Sequence, residues 1–81
     1  MATYQGWKNR ATWNVNLYVN NEEWIYRAAC EFMKTYKGRK PYAAFASRMF
    51  APDERTPDGF KWHGKKLCYR ELNEMMRGLI A

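Results

Sequence analysis

The chain has 81 residues and carries fourteen Lys and Arg against eight Asp and Glu, a formal charge of +6. That length admits one domain at most, and 47% hydrophobic with 27% charged residues excludes a disordered tail. No apolar run approaches the ~20 residues of a membrane-spanning helix, and no charged-then-apolar signal segment opens the chain, so a cytoplasmic protein is expected.

Aromatic residues make up 17% of the sequence. They offer large apolar surfaces to a domain that can hide only roughly 60–65% of its unfolded area. Asn9 is a good helix N-cap, and a first segment runs from Arg10 to about Val19. Read as a helix, it puts Trp13, Leu17 and Asn20 on one face. Read as a strand, it alternates Trp13, Val15, Leu17 and Val19 with Asn14, Asn16, Tyr18 and Asn20. Both readings stand on the sequence alone. Asn21 then caps a second helix, with Glu22 and Glu23 at its positive end and Lys34 and Lys37 at its negative end. Gly38 stops it. Trp24, Ala28, Phe32 and Tyr36 recur every four positions, flanked by Ile25, Ala29 and Met33, and this stripe is expected to face the core.

After the basic link Lys37-Gly38-Arg39-Lys40, Pro41 suits the first turn of a third helix. Tyr42, Phe45, Ala46 and Met49 form its apolar face, and Pro52 ends it by Ala51. Residues 52–66 form a connection. Thr56-Pro57-Asp58-Gly59 has Pro and Gly where a β-turn wants them, and Phe60 and Trp62 alternate with Lys61 and His63, so a short extended or hairpin arm is expected, with His63-Gly64 as a candidate tip. The last helix spans about Lys66 to Leu79. The prediction for residues 1–81 is a single all-α domain of three to four helices, with a short irregular or hairpin-like arm before the last one.

The charge is unevenly distributed. Residues 34–70 hold ten Lys and Arg against Asp53, Glu54 and Asp58, a net +7, whereas residues 1–33 are neutral. Tyr36, Tyr42, Phe60, Trp62 and Tyr69 are interleaved with these cations. Cations neutralise phosphates and release counterions, and exposed rings stack on unpaired bases. The same cations also serve as a solvated face or as a dock for an acidic protein. The densest run is Lys61-Trp62-His63-Gly64-Lys65-Lys66. The candidate binding residues are therefore Lys37, Arg39, Lys40, Lys61, Trp62, Lys65 and Lys66, with Trp62 either a stacking platform or a lid over the core.

Signs of catalysis are absent. There is no Walker loop, nucleophile elbow or G-x-G-x-x-G, and His63 is the only imidazole. Two cysteines and one histidine cannot supply the four ligands of a closed zinc site, so no metal or cofactor is expected. Cys30 and Cys68 read as reduced thiols in a reducing compartment, a disulfide between them being the other reading.

Gly6-Trp7-Lys8-Asn9-Arg10-Ala11-Thr12-Trp13-Asn14-Val15, followed by Leu17-Tyr18-Val19-Asn20-Asn21-Glu22, resembles the opening of small, mostly uncharacterised proteins found in phages, prophages and plasmids. Thr56-Pro57-Asp58-Gly59 and Met75-Met76-Arg77-Gly78-Leu79 are similar to the endings some of them carry. The resemblance implies a mobile-element setting and a mainly helical domain, and it assigns no activity to any residue. Physically, these residues read as scaffold: Asn9 caps, Trp7 staples onto the first helix, Trp13 fills the core, and Asn20 and Asn21 turn the chain. The other reading is a polar-aromatic face made of Trp7, Asn14 and Asn16. Two functions follow as expectations. One is nucleic-acid binding through the basic region, with Trp62 stacking. The other is an inhibitor or adaptor that docks on an acidic host protein through anchors such as Trp62, Tyr42 and Phe60.

Overall fold

The computed structural model describes residues 4–80. It contains four helices, α1 (Arg10–Asn21), α2 (Glu23–Thr35), α3 (Pro41–Met49) and α4 (Tyr69–Gly78). The chain is therefore a small all-α domain, and the arm expected at residues 52–66 runs from Phe50 to Cys68, so the last helix opens at Tyr69 rather than near Lys66.

Residues 10–19 are helical, and the cap decides it. Asn9 Oδ1 accepts from the Thr12 amide at 2.9 Å and from Thr12 Oγ1 at 2.7 Å, satisfying a donor that the first turn would otherwise leave open. Ahead of this cap, Tyr4 and Trp7 exchange two backbone hydrogen bonds of 2.7 Å across a tight turn. Gln5 and Gly6 both have positive φ, at 52° and 87°, which is the backbone a type I′ turn requires. The turn brings Tyr4 edge-on to Trp13 at 4.8 Å. Trp7 borders a crevice with Glu71, Glu74 and Met75 of α4, while Tyr4 is the ring that meets Trp13 of α1.

The buried face of α1 is Thr12, Val15 and Val19, with Asn14 beside it. Trp13 and Leu17 are only half-buried, contrary to the expected core face. A similar rotation holds in α2. Ile25, Ala29 and Met33 are buried there, while Trp24 is 59% exposed. The two stripes lie one residue apart, about 100° around the helix. Ala28 and Phe32 pack at the margin of the core. The core therefore selects the slimmer stripe, and Trp24 is left outside.

Asn21 belongs to α1 and does not cap α2. The single residue Glu22, extended at φ −84°, ψ 112°, ends one helix and opens the next. Its N–H donates to the Tyr18 carbonyl and its carbonyl accepts from the Tyr26 amide. α2 stops at Thr35, three residues before Gly38. Pro41 is the first residue of α3, as expected, and the amide of Tyr42 donates to Asn73 Oδ1 at 3.0 Å, so a side chain of α4 caps α3. α1 packs mainly on α2 and α3 on α4, with α4 also touching α1 and α2. One hydrophobic cluster joins all four helices to Phe50, Trp62 and Leu67 of the arm. Cys30 and Cys68 are both free thiols.

Candidate nucleic-acid interface

The arm is built on the expected turn. The Gly59 amide donates to the Thr56 carbonyl at 2.8 Å, and Gly59 adopts φ 95°. Thr56 N–H donates to Phe60 O at 2.7 Å, and Arg55 opposes Lys61 in an isolated antiparallel bridge. The tip of the hairpin is thus Pro57-Asp58, not His63-Gly64. His63 and Gly64 lie in a second turn, where the Gly64 amide reaches the Lys61 carbonyl.

Side chains from α1 hold this arm in place. Asn14 Oδ1 accepts from Thr56 Oγ1 at 2.7 Å, and its Nδ2 donates to Asp58 Oδ2 at 2.7 Å. Thr12 Oγ1 accepts from the Cys68 amide at 2.9 Å, and Asn9 Nδ2 donates to the Lys66 carbonyl at 2.7 Å. The opening of the sequence and its Thr-Pro-Asp-Gly turn therefore form one polar joint. Asn14 is fully buried in that joint, so it is not part of an exposed binding face. From the other side, Tyr42 Oη donates to the Trp62 carbonyl at 2.7 Å and Tyr69 Oη to the Gly64 carbonyl at 2.9 Å. Burial raises the pKa of both tyrosines, so each stays a neutral donor.

Anchoring in the interior dictates what points outward. Thr56, Trp62 and Leu67 are buried, so Arg55, Lys61, Lys65 and Lys66 are exposed between them. Trp62 is 2% exposed and lies parallel to Phe50 with ring centroids 3.9 Å apart. It is a core residue, unavailable to stack on a base or to anchor a partner. Tyr42, the second expected anchor, is fully buried as well.

A cleft of about 690 Å³ opens between the two turns of the arm, bordered by Arg55, Phe60, Lys61, His63, Lys65 and Lys66. No carboxylate lines it. Three nearby acids are engaged elsewhere, while Asp53, next to Pro52 on the cleft wall, is exposed. Asp58 accepts from Asn14, Glu54 accepts from the Ala51 amide, and Glu71 accepts from the Lys8 amide. The two ion pairs among the described residues, Arg27–Glu23 and Lys34–Glu31, both lie on α2. The Arg10 guanidinium sits over the Phe60 ring, 5.6 Å from its centroid. His63 Nε2 is 3.1 Å from the Phe50 carbonyl, which fixes the ring at the cleft wall.

The structure thus brings together Lys61, Lys65 and Lys66 of the residues expected at the site. Lys37, Arg39 and Lys40 are not among the residues that border this cleft. Lys40 borders a separate hollow with Ala43, Tyr69 and Asn73, and the Arg39 carbonyl accepts from Arg77 near the far end of α4. Sequence reasoning named Phe60 as an anchor but missed Arg55 beside it on the wall, and Arg10 behind Phe60. A signal for Arg55 was present, because a turn at 56–59 sets residue 55 against residue 61 once a hairpin is assumed. Arg10 had none, being 45 positions from Arg55.

Among the described residues, no group of three or more His, Cys, Asp or Glu is placed to hold a metal ion, and no helix is long and apolar enough to cross a membrane. What the fold and the cleft define is a small helical domain that presents a rigid, cationic arm. The chain belongs to the family of unknown function DUF7249, whose model matches residues 1–80. No curated protein and no solved structure matches it.

Proposed function

We propose that this protein binds nucleic acid through the arm cleft, as a non-enzymatic accessory protein of a phage or related mobile element acting in the host cytoplasm. The observation that carries the reading is the pairing of Arg55 with Lys61 across an antiparallel bridge, in a cleft without a carboxylate. Like charges directly opposite in a ladder destabilise it. Lys65 and Lys66 add to the repulsion, and a polyanion relieves it by placing phosphates between the cations. The mobile-element setting rests on the resemblance carried by Gly6–Glu22 and the Thr56–Gly59 turn. A binding role without catalysis accords with the single imidazole being tied to the Phe50 carbonyl.

The test is a salt titration. The protein should bind labelled oligonucleotides at ~50 mM salt, and affinity should fall log-linearly with salt in proportion to the phosphates contacted. Replacing Lys61, Lys65 and Lys66 together with Gln should reduce the slope by about 2–3, while Lys37→Gln should leave it nearly unchanged. No binding at low salt to single or double strands would reject the reading. Capture of an acidic host protein that survives nuclease treatment would instead favour the adaptor role.

A further inference from the structure

We infer that the cleft is shaped for an unpaired strand, with one base stacked on Phe60 and its flanking phosphates held by Arg55, Lys61, Lys65 and Lys66; this rests on the nucleic-acid reading above. Three features of the site carry it. First, two aromatic rings border the cleft, and Phe60, unlike the His63 imidazole held at the Phe50 carbonyl, is a half-buried ring with no polar atom. A duplex keeps its bases stacked inside and would offer that ring only sugar and phosphate, whereas an unpaired strand offers base faces. Second, the ring is preorganised. The Phe60 amide donates to Thr56 Oγ1 at 3.2 Å and its carbonyl accepts from the Thr56 amide at 2.7 Å, and Thr56 is locked in turn to Asn14. Little side-chain or backbone freedom remains to be lost when a base arrives. Arg10 lies over one face of the ring, so a base on the cleft side would extend a guanidinium–ring–base stack.

Third, the surface is concave. A cleft of about 690 Å³ is in the range of small-molecule sites, the scale of a short unpaired stretch. Reading a duplex calls for a helix or two-stranded ribbon long enough to enter the major groove. Here the Arg55–Lys61 bridge is isolated and its hairpin is tied to α1 through Asn14, so the hairpin is not a free ribbon.

The experiment is fluorescence anisotropy with three labelled probes of equal phosphate number per strand: a mixed-sequence single strand of about 12 nucleotides, the same strand in a duplex, and a single strand with abasic sites throughout its middle. The intact single strand should bind about tenfold more tightly than the abasic strand, with the duplex also weaker. Phe60→Leu should lose about the same factor on the intact strand and nothing on the abasic one. Phe60→Tyr should restore it. Equal affinity for intact and abasic strands, or a preference for duplex, would overturn the inference. If the triple Lys→Gln variant still weakened all three probes in that case, nucleic-acid binding itself would stand. Failure of every probe to bind at ~50 mM salt would remove both. The abasic comparison uses the unaltered protein, so the test holds even if Phe60→Leu impairs folding.

Discussion

Asn14 uses both ends of its amide on the arm, accepting from Thr56 and donating to Asp58, and has no exposure to solvent. Asn14→Ala leaves the Thr56 hydroxyl and the Asp58 carboxylate without these partners, and should cost about 2–3 kcal/mol in urea unfolding. Asn14→Asp sets a second carboxylate against Asp58. It should cost at least as much at pH 7, and part of the loss should return as the pH is lowered through the carboxylate range. Tyr42 is the other decisive residue. Burial above all, and then the neighbouring Tyr69 hydroxyl, raise its pKa far above the ordinary value of 10.0. In the unfolded chain Tyr42 ionises near pH 10, whereas in the fold it keeps its proton. The unfolded state then binds fewer protons, so this contribution is intact below about pH 10 and declines as the pH rises beyond it. Tyr42→Phe should flatten the alkaline limb of a stability-against-pH curve. It should also cost about 1–3 kcal/mol at neutral pH, because the Trp62 carbonyl loses its donor.

At the scale of elements, α2 and the arm behave oppositely to their aromatic content. Trp24 is the largest side chain on α2, yet it lies mostly in solvent, while Ile25 is buried. Trp24→Ser should change stability by no more than about 0.5 kcal/mol, and Ile25→Ala should cost about 2–4 kcal/mol. The arm has no regular strand or helix, but it contributes Phe50, Trp62 and Leu67 to the interior. Trp62→Ala should remove about 3–5 kcal/mol, a large share of the ~4–12 kcal/mol available to a domain of this size. Circular dichroism melts of these three variants would distinguish a core arm from an appended one. Helix periodicity could not have ranked the two stripes of α2, since both recur every four residues. Their order is a tertiary outcome: Ile25, Ala29 and Met33 are the residues buried against the other helices, and Trp24 is left in solvent.

For the molecule as a whole, the net charge of +6 is drawn from residues 34–70, which by themselves carry +7. The ion pairs among the described residues are confined to α2, and Asp58, Glu54 and Glu71 serve as hydrogen-bond acceptors for scaffold groups, while Asp53 stays exposed on the arm. The cleft cations therefore act at long range on a molecule measuring only 35 × 25 × 22 Å. Association with a polyanion should be fast at low ionic strength and slow several-fold as the Debye length contracts from ~30 Å to ~8 Å. Stopped-flow mixing with a labelled oligonucleotide at two salt concentrations measures that directly.

The sequence by itself determined the helical class, the Asn9 cap, Pro41 at the start of α3, the turn at Thr56–Gly59 and the basic character of residues 34–70. Each of these is local: a cap, a ring-constrained φ, a positive-φ glycine or a charge count needs only its near neighbours. Tertiary structure decided which stripe of each helix was buried, that Trp62 and Tyr42 were interior, and which cations met. Those outcomes depend on groups brought together from distant positions. Asn14 reaches Asp58, Arg10 reaches Phe60, and Lys61, Lys65 and Lys66 share a cleft with Arg55 that Lys37 and Arg39 do not border.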